Sequence, residues 1–284
     1  MPLREDSFNA GPVTIHYAAS DNDGPPIVLL HGITNRWQAF LNMMPALAQQ
    51  WRVFALDLRG HGRSGHVQGG YRGELMSEDV IRFIEERAGG PVVLYGHSLG
   101  GFITTYIASH RPELVRAVCL ADSPIFFDTL HASVYPEMFA KVHELIVAGI
   151  GIRQLVVELQ DMQLTHPAFG TVKLKTLPFH DESYLRWWAR SLMMMDPEAL
   201  AMAVDGRLSE NWDPEFIRKV ACPMLLIQAD PKFGGLVTAR DVEACRASIA
   251  DTVHVLLKDV GHSLNIHQPG PVLRALLNFL GSLD

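Results

Sequence analysis

Three cysteines in 284 residues are too few for a disulfide scaffold, and an odd number, Cys119, Cys222 and Cys245, suits free thiols in a reducing compartment. Positive charge is also scarce. The chain has 24 Lys and Arg against 31 Asp and Glu, a net charge of −7, and no basic stripe. Nucleic acids and anionic membranes both need clustered cations, so neither is an expected partner. No apolar run approaches the ~20 residues of a membrane span. The N-terminal stretch, with Arg4, Glu5 and Asp6, lacks the apolar core of a signal peptide. The expectation is a cytoplasmic protein, monomeric or homodimeric. No H-E-x-x-H motif and no cysteine cluster occurs, so neither a metal nor another cofactor is expected. Internal repeats and low-complexity segments are also missing.

Apolar residues make up 48% of the chain, enough for a sizeable core. Short apolar runs at 27–30, 53–56, 92–95, 117–121, 224–228 and 252–257 read as strands, and 13–18 reads as an early strand paired with 3–8. Most are apolar throughout rather than alternating, which predicts a parallel sheet covered on both faces. Helical patterns at 37–50, 74–87, 98–110, 238–249 and 271–280 separate them. This alternation predicts a doubly wound α/β architecture. Between Phe126 and about Trp212 the rhythm breaks. That stretch is rich in Met and aromatics and shows no strand run, so it reads as a helical insertion. Met193-Met194-Met195 within it reads as helical core packing.

Two glycine motifs compete for attention. Gly60-His61-Gly62-Arg63-Ser64-Gly65 matches G-x-G-x-x-G, the dinucleotide fingerprint. Its context is wrong: strands precede it, charge crowds it, and the next helix starts well after its glycines. Gly96-His97-Ser98-Leu99-Gly100 matches G-x-S-x-G and lies between an apolar strand and a helix. There a sharp turn lifts the serine hydroxyl clear of the sheet, and glycines two residues before and after remove steric clashes. Serine needs a general base. In the chain order Ser, acid, His, the base should come late, and His262 of Val260-Gly261-His262-Ser263 follows the last predicted strand. His254, inside a strand, and His267, at a helix start, are weaker rivals. The oxyanion hole should use the backbone N–H of Leu99 and of Ile33, in the loop His31-Gly32-Ile33-Thr34.

With these motifs the chain resembles the α/β-hydrolase superfamily. His31-Gly32, the run from Asp57 to Ser64, Gly96-His97-Ser98-Leu99-Gly100-Gly101 and Gly261-His262 occur in the expected order over most of the chain. The resemblance implies a mostly parallel eight-stranded sheet with helices on both faces and a helical cap. The core would comprise 1–123 and 214–284, and the cap 124–213. It also implies that Asp57 to Ser64 is a structural loop. The acid departs from the family pattern, in which it follows the penultimate strand about three residues past a glycine. Here Ala229 replaces that glycine and Lys232 takes the usual spot. Asp230 is favoured, with the extra Gly234-Gly235 reshaping the loop to point it at His262. Asp122, at the end of an earlier strand, is the alternative.

The cap should supply the substrate pocket, with Phe126, Trp187 and Trp188 as leading candidates and Phe127, Met138 and Met193 behind them. Arg186 and Arg190 share a helical spacing that suits a solvent face. The expected activity is hydrolysis of an ester or lactone of a small, largely apolar substrate through an acyl-enzyme. A C–C bond hydrolase of a diketone-like substrate and a slow-turnover small-molecule receptor are the alternatives. Serine at 98, where dehalogenases and epoxide hydrolases carry Asp, argues against those two activities.

Overall fold

The computed structural model describes residues 3–283, so residues 1, 2 and 284 of the expected core lie outside the described residues. Ten strands are present among them: β1 (Leu3–Asn9), β2 (Thr14–Ser20), β3 (Pro26–Leu30), β4 (Arg52–Leu56), β5 (Val92–His97), β6 (Val115–Ala121), β7 (Gln163–His166), β8 (Gly170–Lys173), β9 (Met224–Ala229) and β10 (Thr252–Leu257). Eight of them form one sheet in the order β1-β2-β4-β3-β5-β6-β9-β10. β1, β2 and β4 pair antiparallel, and every pair from β4 through β3 to β10 is parallel. This is the mostly parallel α/β-hydrolase architecture expected.

The continuous apolar strands have two separate cores to fill. Val28, Leu30, Val92, Leu94, Val118 and Leu120 face one; Ile27, Leu29, Val93, Tyr95, Ala117 and Cys119 face the other. Successive side chains point to opposite faces, so a strand buried on both sides cannot alternate with polar residues. Cys119 and Cys245 are buried and Cys222 is partly buried, all three as free thiols.

Local chemistry moves some boundaries. The expected helix at 37–50 is two short pieces, Trp37–Phe40 and Met44–Leu47. The helix Ala239–Ser248 begins at a capping box in which Thr238 and Asp241 exchange side-chain-to-backbone hydrogen bonds. The stretch between β6 and β9 is not purely helical. Between the helices Ile152–Asp161 and Glu182–Leu192 it carries the antiparallel pair β7–β8. Each strand is four residues long, and Gly170 at φ +68° starts the second. So short a pair leaves no periodicity to read. Among the described residues no helix is long and apolar enough to cross a membrane.

Candidate active site

β5 ends at His97 and the helix Leu99–His110 starts one residue after Ser98, which is left at the corner with φ 51° and ψ −115°. A non-glycine residue held there stores on the order of 1–3 kcal/mol of strain. Neighbouring hydrogen bonds keep it in place. Ser98 N–H donates to Ala121 O at 3.2 Å, and Ser98 O accepts from Gly101 N–H at 2.8 Å and from Ser123 Oγ at 2.9 Å. A Cβ at Gly96 would stand 2.2 Å from Gly100 O, and one at Gly100 would stand 2.2 Å from Leu30 O. The turn is therefore possible only with glycine at both places.

His262 lies in the loop after β10 and is nearly buried. Its Nδ1–H donates to Asp122 Oδ2 at 2.7 Å, which leaves Nε2 as the basic nitrogen. Asp122 is fully buried just past β6, at φ 45°. Burial by itself would raise its carboxyl. The hydrogen bond and charge of His262 and the N–H groups of Leu236 and Val237 outweigh that, so the group sits below its ordinary value. Those N–H groups approach at 2.9 and 3.2 Å, and Ala229 N–H approaches at 3.1 Å.

Asp230, the acid favoured on sequence, does not reach His262. Its carboxylate caps the turn Pro231–Phe233 through Lys232 N–H at 3.0 Å and accepts Asp259 N–H at 3.2 Å. The Gly234-Gly235 segment does reshape this loop, with Gly235 N–H folding back onto Asp230 O at 3.0 Å. The effect is to bring Leu236 and Val237 N–H onto Asp122, not to aim Asp230.

The loop after β3 closes on the elbow from the other side. A Cβ at Gly32 would lie 2.8 Å from His97 Nδ1 and 3.1 Å from Ser98 Cβ. Ile33 follows directly, and Thr34, at φ 68°, accepts a hydrogen bond from Trp188 Nε1–H at 3.1 Å. Leu99 is the first residue of its helix, so its N–H has no intrahelical acceptor. His97 Nε2–H donates to His262 O at 2.8 Å. Burial first, and then the neighbouring His262, push His97 down to about 3, so it stays neutral beside His262. Ser98 and His262 line one cavity of about 110 Å³. Its further wall comes from Tyr135, Met138, His166, His180, Tyr184 and Trp188.

A family model described as the alpha/beta hydrolase fold matches residues 25–149. A 2-(acetamidomethylene)succinate hydrolase of Mesorhizobium japonicum is 32% identical over 259 residues, 90% of this chain and 88% of that protein. The chain belongs to the α/β-hydrolase family. Solved structures agree on the fold. E-2-(acetamidomethylene)succinate hydrolase superposes with TM-score 0.77 at 22% identity, covering 99% of this chain and 100% of the other. The enol-lactonase of Burkholderia xenovorans LB400 superposes at 0.76 with 19% identity, covering 98% and 100%.

In this α/β hydrolase the other residues singled out from sequence divide by location. Trp188 and Met138 line the cavity, whereas Phe126 and Trp187 do not. Phe126 carries the Arg240 guanidinium at 3.6 Å from its ring centroid, and Trp187 stacks on Tyr184. Phe127 packs on Phe102, and Met193 is half exposed. Arg186 and Arg190 face solvent. The G-x-G-x-x-G loop is structural. Asp57 in front of it accepts from Trp37 N–H at 2.7 Å and Arg63 N–H at 2.9 Å, and Arg59 forms a buried pair with Asp79 at 2.6 Å. His31 is structural too: its Nε2 accepts Leu58 N–H at 3.1 Å. Sequence reasoning missed Tyr135, His166, His180 and Tyr184. They come from separate segments between β6 and β9, and no spacing joins them to the elbow.

Proposed function

We propose that this protein is a serine hydrolase that cleaves an ester or lactone of a small, uncharged, largely apolar substrate. The observation that carries the reading is the buried Asp122–His262 hydrogen bond beside a serine held at positive φ in the same cavity. Ser98 Oγ attacks the substrate carbonyl carbon as its proton passes to His262 Nε2. The oxyanion is held by the N–H groups of Ile33 and Leu99. The tetrahedral intermediate expels the alkoxide, which takes the proton from His262, and leaves Ser98 acylated. Water then adds to the acyl carbon and gives its proton to His262. Collapse frees the acid as the proton returns to Ser98 Oγ. Asp122 stabilises the imidazolium throughout without taking its proton.

A second reading is amide cleavage by the same steps, favoured by the acetamido group in the name of the Mesorhizobium japonicum relative. The succinate part of that name finds no counter-charge here, because among the described residues no Arg or Lys lines the cavity. A fluorophosphonate probe followed by a panel of esters, lactones and N-acyl enamines tests both readings. Labelling at Ser98, abolished in Ser98→Ala, is expected. An unlabelled Ser98 in folded protein, with no turnover, would refute the scheme.

A further inference from the structure

One wall of the cavity carries polar chemistry that acyl transfer does not use. His180 lies just before the helix Glu182–Leu192, Tyr184 on it, and His267 at the end of the helix Leu264–His267. Their rings form a triangle. His180–His267 centroids are 5.0 Å apart, His180–Tyr184 5.0 Å and Tyr184–His267 4.8 Å. All three line the same cavity as Ser98 and His262.

Their hydrogen-bonding capacity is only partly used. His180 Nδ1–H donates to Pro178 O at 2.9 Å, which fixes the tautomer and leaves Nε2 an acceptor without a partner among the described residues. His267 Nε2 is buried with no hydrogen-bond partner among the described residues. A buried polar atom without a partner is costly, so the position favours a ligand that supplies the bond. The Tyr184 side chain lines the same cavity, with Ser263 as its polar neighbour.

The charge balance narrows the ligand. Among the described residues no Asp, Glu, Lys or Arg lines the cavity. Burial lowers both imidazoles from their ordinary value, His267 to about 3 with His180 adding to the effect, so neither supplies a cation near neutral pH. The buried Asp122 carboxylate stands behind His262, and its field reaches Tyr135 on the cavity wall. An anionic group would thus enter without a counter-charge and against a negative one.

We propose that His180, Tyr184 and His267 form a second subsite for an uncharged group of the substrate that both donates and accepts, a hydroxyl or a carboxamide, and that this subsite rejects a carboxylate. Such a group gives its proton to His180 Nε2 and accepts from Tyr184 O–H. A carboxylate has no proton to give. The proposal rests on Ser98 being the acylated residue.

The test uses 4-nitrophenyl esters over a range of acyl lengths, each length ending in methyl, hydroxymethyl or carboxylate. At the length that spans from Ser98 to the subsite, kcat/KM for the hydroxyl ester should exceed that of its methyl match about tenfold. The carboxylate ester should fall about 100-fold below it. In Tyr184→Phe and His180→Phe the hydroxyl-to-methyl ratio should drop to about one, and if one variant does not fold the other decides. Ester turnover with no hydroxyl preference at any length, a preference for carboxylate, or unchanged ratios in the folded variants would overturn the subsite alone. No turnover and no fluorophosphonate labelling at Ser98 would overturn the acyl-transfer reading and the subsite with it.

Discussion

Replacing Asp122 by Asn separates the two candidate acids. The carboxylate accepts four hydrogen bonds: Ala229 and Val237 N–H at Oδ1, and Leu236 N–H and His262 Nδ1–H at Oδ2. An asparagine has one acceptor oxygen. Turned toward Ala229 and Val237, it sets its NH₂ against Leu236 N–H and His262 Nδ1. The imidazole must then hold its proton on Nε2, the nitrogen that has to accept one from Ser98. A loss of about 10⁴ in kcat is expected from the wrong tautomer. The orphaned Leu236 N–H adds about 1–3 kcal/mol of destabilisation. Asp230→Asn should keep kcat within about twofold, because Asn serves as well as Asp in the turn cap that Asp230 forms. Steady-state hydrolysis of a 4-nitrophenyl ester, with urea denaturation to confirm folding, measures both. A large kcat loss in Asp230→Asn together with near-normal Asp122→Asn would refute the assignment.

Gly32→Ala would put a Cβ 3.1 Å from Ser98 Cβ and 2.8 Å from His97 Nδ1. Displacing the loop proposed to hold the oxyanion should lower kcat about 100-fold, with little change in far-UV circular dichroism. Arg59→Leu would leave buried Asp79 without its partner, and denaturant unfolding should show a loss of about 3–5 kcal/mol. The pH dependence of stability follows from Asp122, whose carboxyl is lowered in the folded state. Its contribution is present above the unfolded value near about 4 and is lost as pH falls toward the folded one. Wild-type stability should therefore decline below that pH more steeply than that of Asp122→Asn, as read by urea midpoints across acidic buffers.

The sequence expresses this fold most directly where structure is local. The strand 252–257 and the capped helix from Ala239 are set by neighbours within a few residues. The elbow is local as well, since Gly96, Ser98 and Gly100 sit together and the contacts that demand glycine follow from one tight turn. β7–β8 was invisible because a pair of four-residue strands has too few positions to show a period.

The sequence by itself determined the doubly wound sheet, the serine at the glycine turn and the late histidine, because apolar runs, glycine spacing and chain order express them directly. Only the tertiary structure decided which of Asp122 and Asp230 meets His262. That choice depends on how a loop with an extra glycine pair folds, and on which carboxylate it supplies with backbone N–H groups. The same holds for the cavity wall. His180, Tyr184 and His267 meet only when the segment between β6 and β9 packs over the strand ends. No periodicity along a chain encodes contacts between segments so far apart.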